Sequence, residues 1–154
     1  MLEVLVSVLI LAIGLLGLAG MYSFSLKNTA NSNVRSVATT QAYDIIEKMR
    51  ANRTGLDSGY YINQQGQQNT SCFLSTGCTS QQMAQMDVYQ WNELNALFLP
   101  GGVGVVCTDN TPNDGTPGAP ACDGLPNSNY VVKIWWDERV ADGSLQRFIT
   151  VFKP

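Results

Sequence analysis

The rhythm of hydrophobic and polar positions changes twice along this chain. Met1 to Leu26 reads MLEVLVSVLILAIGLLGLAGMYSFSL, with no charge between Glu3 and Lys27. Leu, Val, Ile, Ala and Gly surround the whole helix that this run predicts, so it has no polar face to turn to water. A helix of that length rises roughly 35 Å, enough to cross the hydrocarbon core of a bilayer. From Lys27 to about Asn52 the pattern becomes a stripe. Val34, Val37, Ala38, Ala42, Ile45, Ile46 and Met49 recur at three and four, with Arg35, Asp44, Glu47, Lys48 and Arg50 mainly opposite. One helix is thus predicted to change from apolar all round to amphipathic near Lys27.

The second change comes after that helix. Thr54 to Thr79 is polar and reads as a loop, with a short strand near Tyr60 to Ile62. Thr79 to Phe98 predicts a second helix with Ala84, Val88, Trp91, Leu94 and Phe98 on one face. Thr79 and Gln82 have the spacing of a capping box, and Leu99-Pro100-Gly101-Gly102 ends the helix. Trp91 reads as a core anchor. Gly102 to Cys107 predicts a strand, and Thr108 to Asn129, with four of the six prolines, a long loop. Tyr130 to Asp137 and Leu145 to Phe152 alternate at period two and predict a hairpin turning at Asp142-Gly143. Tyr130, Val132, Ile134 and Trp136 share one face of the first strand; Val131, Lys133 and Trp135 share the other. The expected fold class is α+β, with the amphipathic half of the first helix covering an antiparallel sheet.

Three readings of the first 26 residues compete. A cleaved signal peptide would want a basic start and a shorter apolar core, and this start is acidic. A plain single-pass anchor needs only the length. The third is a helix that lives first in a membrane and then in a bundle of its own kind. Glu3 favours it, because an intramembrane carboxylate seeks a partner, although the same group also suits the positive end of the helix dipole. Gly14, Gly17 and Gly20 line one face and either admit a neighbouring backbone closely or ease local unwinding.

Composition removes several functions. There is no histidine, hence neither the commonest general base nor the commonest metal ligand. Net charge is −3 with no basic stripe, which makes nucleic acid a poor partner. Lys48, Arg50 and Arg53 cluster at a helix end, where cations suit the dipole. Asp109, Asn113 and Asp114 lack the spacing of a calcium loop and read as turn residues. The four cysteines, Cys72, Cys78, Cys107 and Cys122, contain no C-x-x-C pair, so zinc is disfavoured. Behind a membrane-crossing helix they read as two disulfides in an oxidising compartment. One between Cys72 and Cys78 would pin the first loop; one between Cys107 and Cys122 would staple the proline-rich loop to the sheet edge. No catalytic constellation, metal site or cofactor site is expected.

The segment from Leu2 to Gly20, LEVLVSVLILAIGLLGLAG, resembles the N-terminus of type IV pilins. Within them it is most similar to the PilV-type minor pilins, the type IV pilus modification proteins. Ala42 to Arg53 (AYDIIEKMRANR), Trp91, Leu99 to Gly102 and Val131 to Asp137 extend the resemblance along the chain. The family pattern has a basic leader ending in glycine, a methylated aromatic residue, two or three more residues and then a glutamate, which Glu3 matches. Met1 and Leu2 would be the two residues just before it. Processing by a prepilin peptidase is implied, at a site that no residue here carries.

The resemblance implies a type IV pilin fold. Residues 1–26 would be its transmembrane and filament-core half-helix, and residues 27–154 a periplasmic head. It implies a structural subunit held in the inner membrane and then drawn into a surface pilus, with other minor pilins and the major pilin as partners. Glu3 would neutralise the N-terminal amine of a neighbouring subunit. Minor pilins of this type help to prime assembly, and some affect adhesion or motility. A minor pseudopilin of a type II secretion system is the nearest alternative; a membrane-anchored periplasmic ligand-binding domain is the alternative of another class.

Overall fold

The computed structural model describes residues 1–63, 65–124, 129–137 and 145–153. The chain divides into two compact units, Met1–Val34 and Arg35–Pro154. Helix α1, Leu2–Ala51, runs through both.

In the second unit, the stripe on α1 is buried at Ala38, Gln41, Ala42, Ile45, Ile46 and Met49. α1 gives way to a second helix because Asn52 intervenes. Its backbone is non-helical, and its side-chain oxygen accepts from the Gly55 amide, which starts α2, Arg53–Asp57. The reading of a plain loop from Thr54 missed this five-residue helix. The short strand expected at Tyr60 to Ile62 is a turn instead. Gly59 and Asn63 both take positive φ there, which an extended strand excludes. The segment still meets the sheet at one point, where the Asn63 amide donates to the Val106 carbonyl at 2.9 Å.

Helix α3, Ser80–Phe98, begins at Thr79 with both halves of a capping box present. Its buried face carries Ala84, Val88 and Trp91 as expected, then departs from the pattern. Asn95 and Leu99 are buried, while Phe98 is exposed. The face continues 88, 91, 95, 99, so the helix presents Asn95 where Gly102 and Gly104 press against it. Trp91 is the junction of the unit. Its indole N–H donates to the Gln41 carbonyl of α1 at 2.8 Å. Its ring also lies so close to Gly104 that a Cβ there would stand 2.3 Å from a ring carbon.

Three antiparallel strands form one sheet in the order β1-β2-β3: Val103–Thr108, Tyr130–Asp137 and Leu145–Phe152. Val103 pairs with Trp135, and Trp135 with Arg147. The Asp142-Gly143 turn lies outside the described residues. Together these elements give the expected α+β fold class, a long N-terminal helix and an antiparallel sheet. On the central strand β2, every residue from Val131 to Trp136 is buried, so both of its faces are covered. That places Lys133 in the core, fully buried.

Candidate functional site: an uncovered apolar helix and a pinned loop

Every residue of α1 from Leu2 to Ala30 is exposed. Leu16, for example, keeps 74% of its surface open. α1 is the one helix among the described residues long and apolar enough to cross a membrane. Three of its hydroxyls turn back onto it: Ser7 donates to the Glu3 carbonyl at 2.8 Å, Ser23 to Ala19 and Thr29 to Ser25, both at 3.0 Å. A hydroxyl satisfied by its own helix needs no water, which suits an apolar surrounding. Glu3 lies in the first turn of the helix. A Cβ at Gly14, Gly17 or Gly20 would meet nothing within 4 Å, so nothing in the described chain requires glycine there.

The second unit holds the chemistry that sequence spacing did not reveal. Cys107 and Cys122 are bonded, fifteen positions apart, and close the loop that leaves β1. Within that loop the Lys133 ammonium is surrounded by oxygen. Its Nζ lies 2.6 Å from Asp109 Oδ2 and 3.1 Å from Asp114 Oδ1, and donates to the Pro120 carbonyl at 2.8 Å. From β3, Arg147 donates to the Asn113 carbonyl at 2.6 Å. The loop therefore reaches past the sheet edge, to the central strand and on to β3. Burial alone would raise the Asp109 carboxyl. The Lys133 ammonium and the Thr111 amide outweigh it and hold the group below the usual carboxylate range. Asp109 and Asp114, which read as turn residues in the sequence, face a cation supplied by the protein itself.

Cys72, within the 3₁₀ turn Thr70–Phe73, is bonded to Cys78. A second polar cluster joins the end of α1 to α3. The Asn52 amide donates to Tyr61 Oη at 3.1 Å and to the Ser80 carbonyl at 2.7 Å, and the Tyr61 hydroxyl donates to Asp87. Burial raises the Asp87 carboxyl, and the Tyr61 bond and nearby Lys48 offset this only in part. Burial, reinforced by Asp87, also lifts the Tyr61 hydroxyl well above its ordinary range. The cations at the helix end are engaged locally: Lys48 with Asp44, Arg50 with Glu47 and Arg53 with Asp57. No cluster of three metal-ligating side chains occurs among the described residues.

The pieces define a class: a membrane-length helix carrying a single carboxylate, continuous with the first helix of a disulfide-bonded α+β unit. A family model described as Tt1218-like, type IV pilin Tt1218, matches residues 20–89. That range takes in the end of the apolar run, the rest of α1, α2 and the first half of α3. The match supports a type IV pilin, and pilins are structural proteins. No curated protein and no solved structure matches the chain.

Proposed function

We propose that this chain is a PilV-type minor pilin. It waits in the inner membrane as a single-pass protein and enters a type IV pilus through its N-terminal helix. The observation that carries the reading is the uncovered apolar surface of Leu2 to Leu26 on a chain whose residues 20–89 match a type IV pilin family. Bilayer and filament core are both apolar, so transfer between them need not wet that surface. Glu3 would find its partner in the N-terminal amine of an adjacent subunit. An unpaired carboxylate in an apolar bundle is costly by several kcal/mol, which rejects wrong axial registers. Gly14, Gly17 and Gly20 would admit a neighbouring helix closely or let the shaft loosen there. The partners are other minor pilins and the major pilin, and the leader is removed by a prepilin peptidase.

The test is Glu3→Ala in a piliated host. The variant is expected to keep both disulfides and its fold, and to be depleted from sheared surface filaments. Undiminished recovery with those filaments would refute the role of Glu3. Absence of the unmodified chain from them would refute the pilus reading itself.

A further inference from the structure

A cleft of about 450 Å³ opens on the second unit, against the strand at the edge of the sheet. Its lining includes the run from Gly102 to Val105 together with Pro117, Gly118 and Pro120. Asn63, Gln65 and Asn92, all carboxamide residues, complete the lining. None of these lining residues is charged or aromatic.

The lining is fixed within the fold. Asn92 Oδ1 accepts from the Gly104 amide at 2.8 Å, and the Asn63 amide donates to the Val106 carbonyl at 2.9 Å. Thr116 and Ala119 exchange backbone bonds across the Pro117-Gly118 turn. The Pro120 carbonyl is held by the buried Lys133. The cleft is therefore formed before any ligand arrives, and its volume falls within the range of small-molecule sites.

The lining selects the ligand. With Lys133 consumed inside the fold, no cation faces the cleft to attract an anion, and no carboxylate to attract a cation. Carboxamides donate and accept at once, as hydroxyl groups do, so arrays of the two match without charge. The valines and prolines offer an apolar wall to the C–H face of a ring. An extended peptide fits less well, because strand addition needs a free edge, and here the Gly104 amide and Val106 carbonyl are already taken. We propose that this cleft binds a neutral hexose unit, free or at the end of a glycan. The proposal concerns the second unit alone and holds whether or not the chain enters a filament.

The test uses the full chain, isotope-labelled, in phosphocholine micelles, which carry no sugar. Methyl glycosides of glucose, galactose and N-acetylglucosamine are titrated while the side-chain amide signals of Asn63, Gln65 and Asn92 are followed. At least one glycoside is expected to move them saturably, with weak affinity of roughly millimolar order. Gly118, on the lining, has no atom within 4 Å of the site of a Cβ and no positive φ, so Gly118→Leu adds bulk there without strain. It should weaken binding by about tenfold or more while leaving the indole signals of Trp91 and Trp135 in place. Gln65→Ala, which touches no structural bond described here, should weaken it several-fold. The proposal is overturned if no glycoside gives saturable shifts, or if binding survives Gly118→Leu. It is also overturned if a neutral polar peptide moves these signals where the sugars do not.

Discussion

Leu16 on α1 and Lys133 on β2 invert the usual placement of their residue types. The leucine keeps 74% of its surface open, and the lysine has none. Each makes sense only with its surroundings. Lys133 is met by two carboxylates and a carbonyl of its own chain, so the polar requirements of the sheet's central strand are satisfied internally. Leu16 and its neighbours are met by nothing among the described residues. A patch of that extent marks a surface that another apolar medium covers. The second unit thus meets its buried charge internally, whereas the first leaves its apolar surface open.

The sharpest way to break this contrast is to remove the lysine. Lys133→Met leaves Asp109 as an uncompensated buried carboxylate, and a loss of about 3–5 kcal/mol is expected. Chemical denaturation of the full chain in micelles, followed by tryptophan fluorescence, measures it. A loss below about 1 kcal/mol would mean that the pair stabilises little beyond packing. Adding Asp109→Leu should restore part of the loss, since no charge is then left buried.

A charge placed on the other side of the contrast should do the reverse. Leu11→Lys is expected to leave the denaturation curve of the second unit unchanged. It should oppose membrane insertion by about 2.5–3.5 kcal/mol, read from the fraction of chain in the membrane pellet. Removing the covalent closure of the pinned loop comes next. Cys107→Ser with Cys122→Ser should cost about 3 kcal/mol, and the same change at Cys72 and Cys78, around a shorter loop, about 2 kcal/mol. Equal losses, or a larger one at the shorter loop, would show that loop closure does not dominate.

The smallest effects are in pH. The folded-state carboxyl of Asp109 lies below its unfolded value. Its contribution is therefore present above the unfolded pKa, near about 4, and is lost as pH falls through the folded one. Asp87 has the opposite sign, because its folded carboxyl lies above its unfolded value. Folding binds a proton there, so stability declines as pH rises from the unfolded value through the folded one. Asp87→Asn should flatten the decline of stability above the unfolded carboxyl value and leave the limb set by Asp109 below it intact. An unchanged profile would remove Asp87 from the account.

The regular elements were legible because each had a local cause. The stripe on α1, the Thr79 and Gln82 cap, and the alternation of β2 and β3 are all set by residues a few positions apart. Helix α2 was missed because one side chain, Asn52, creates it, and five residues are too few for a period. The burial of Lys133 was missed for a different reason. Period two places it on a face with Val131 and Trp135, but cannot say that a proline-rich loop some twenty residues earlier covers that face. Asp109 and Asp114 read as turn residues for the same reason, since their partner lies on another strand. In the first unit, Glu3 and the three glycines stand out in the sequence itself, and a Cβ at any of the three glycines would meet nothing among the described residues.

The enclosed ammonium of Lys133 has a practical consequence. Lys27 and Lys153 are exposed, and Lys48 is partly so. An amine-reactive ester should acylate those three while the fold is intact and reach Lys133 only after the loop lifts. A single peptide mass then reports whether a preparation is native, which suits a protein that must be handled in detergent.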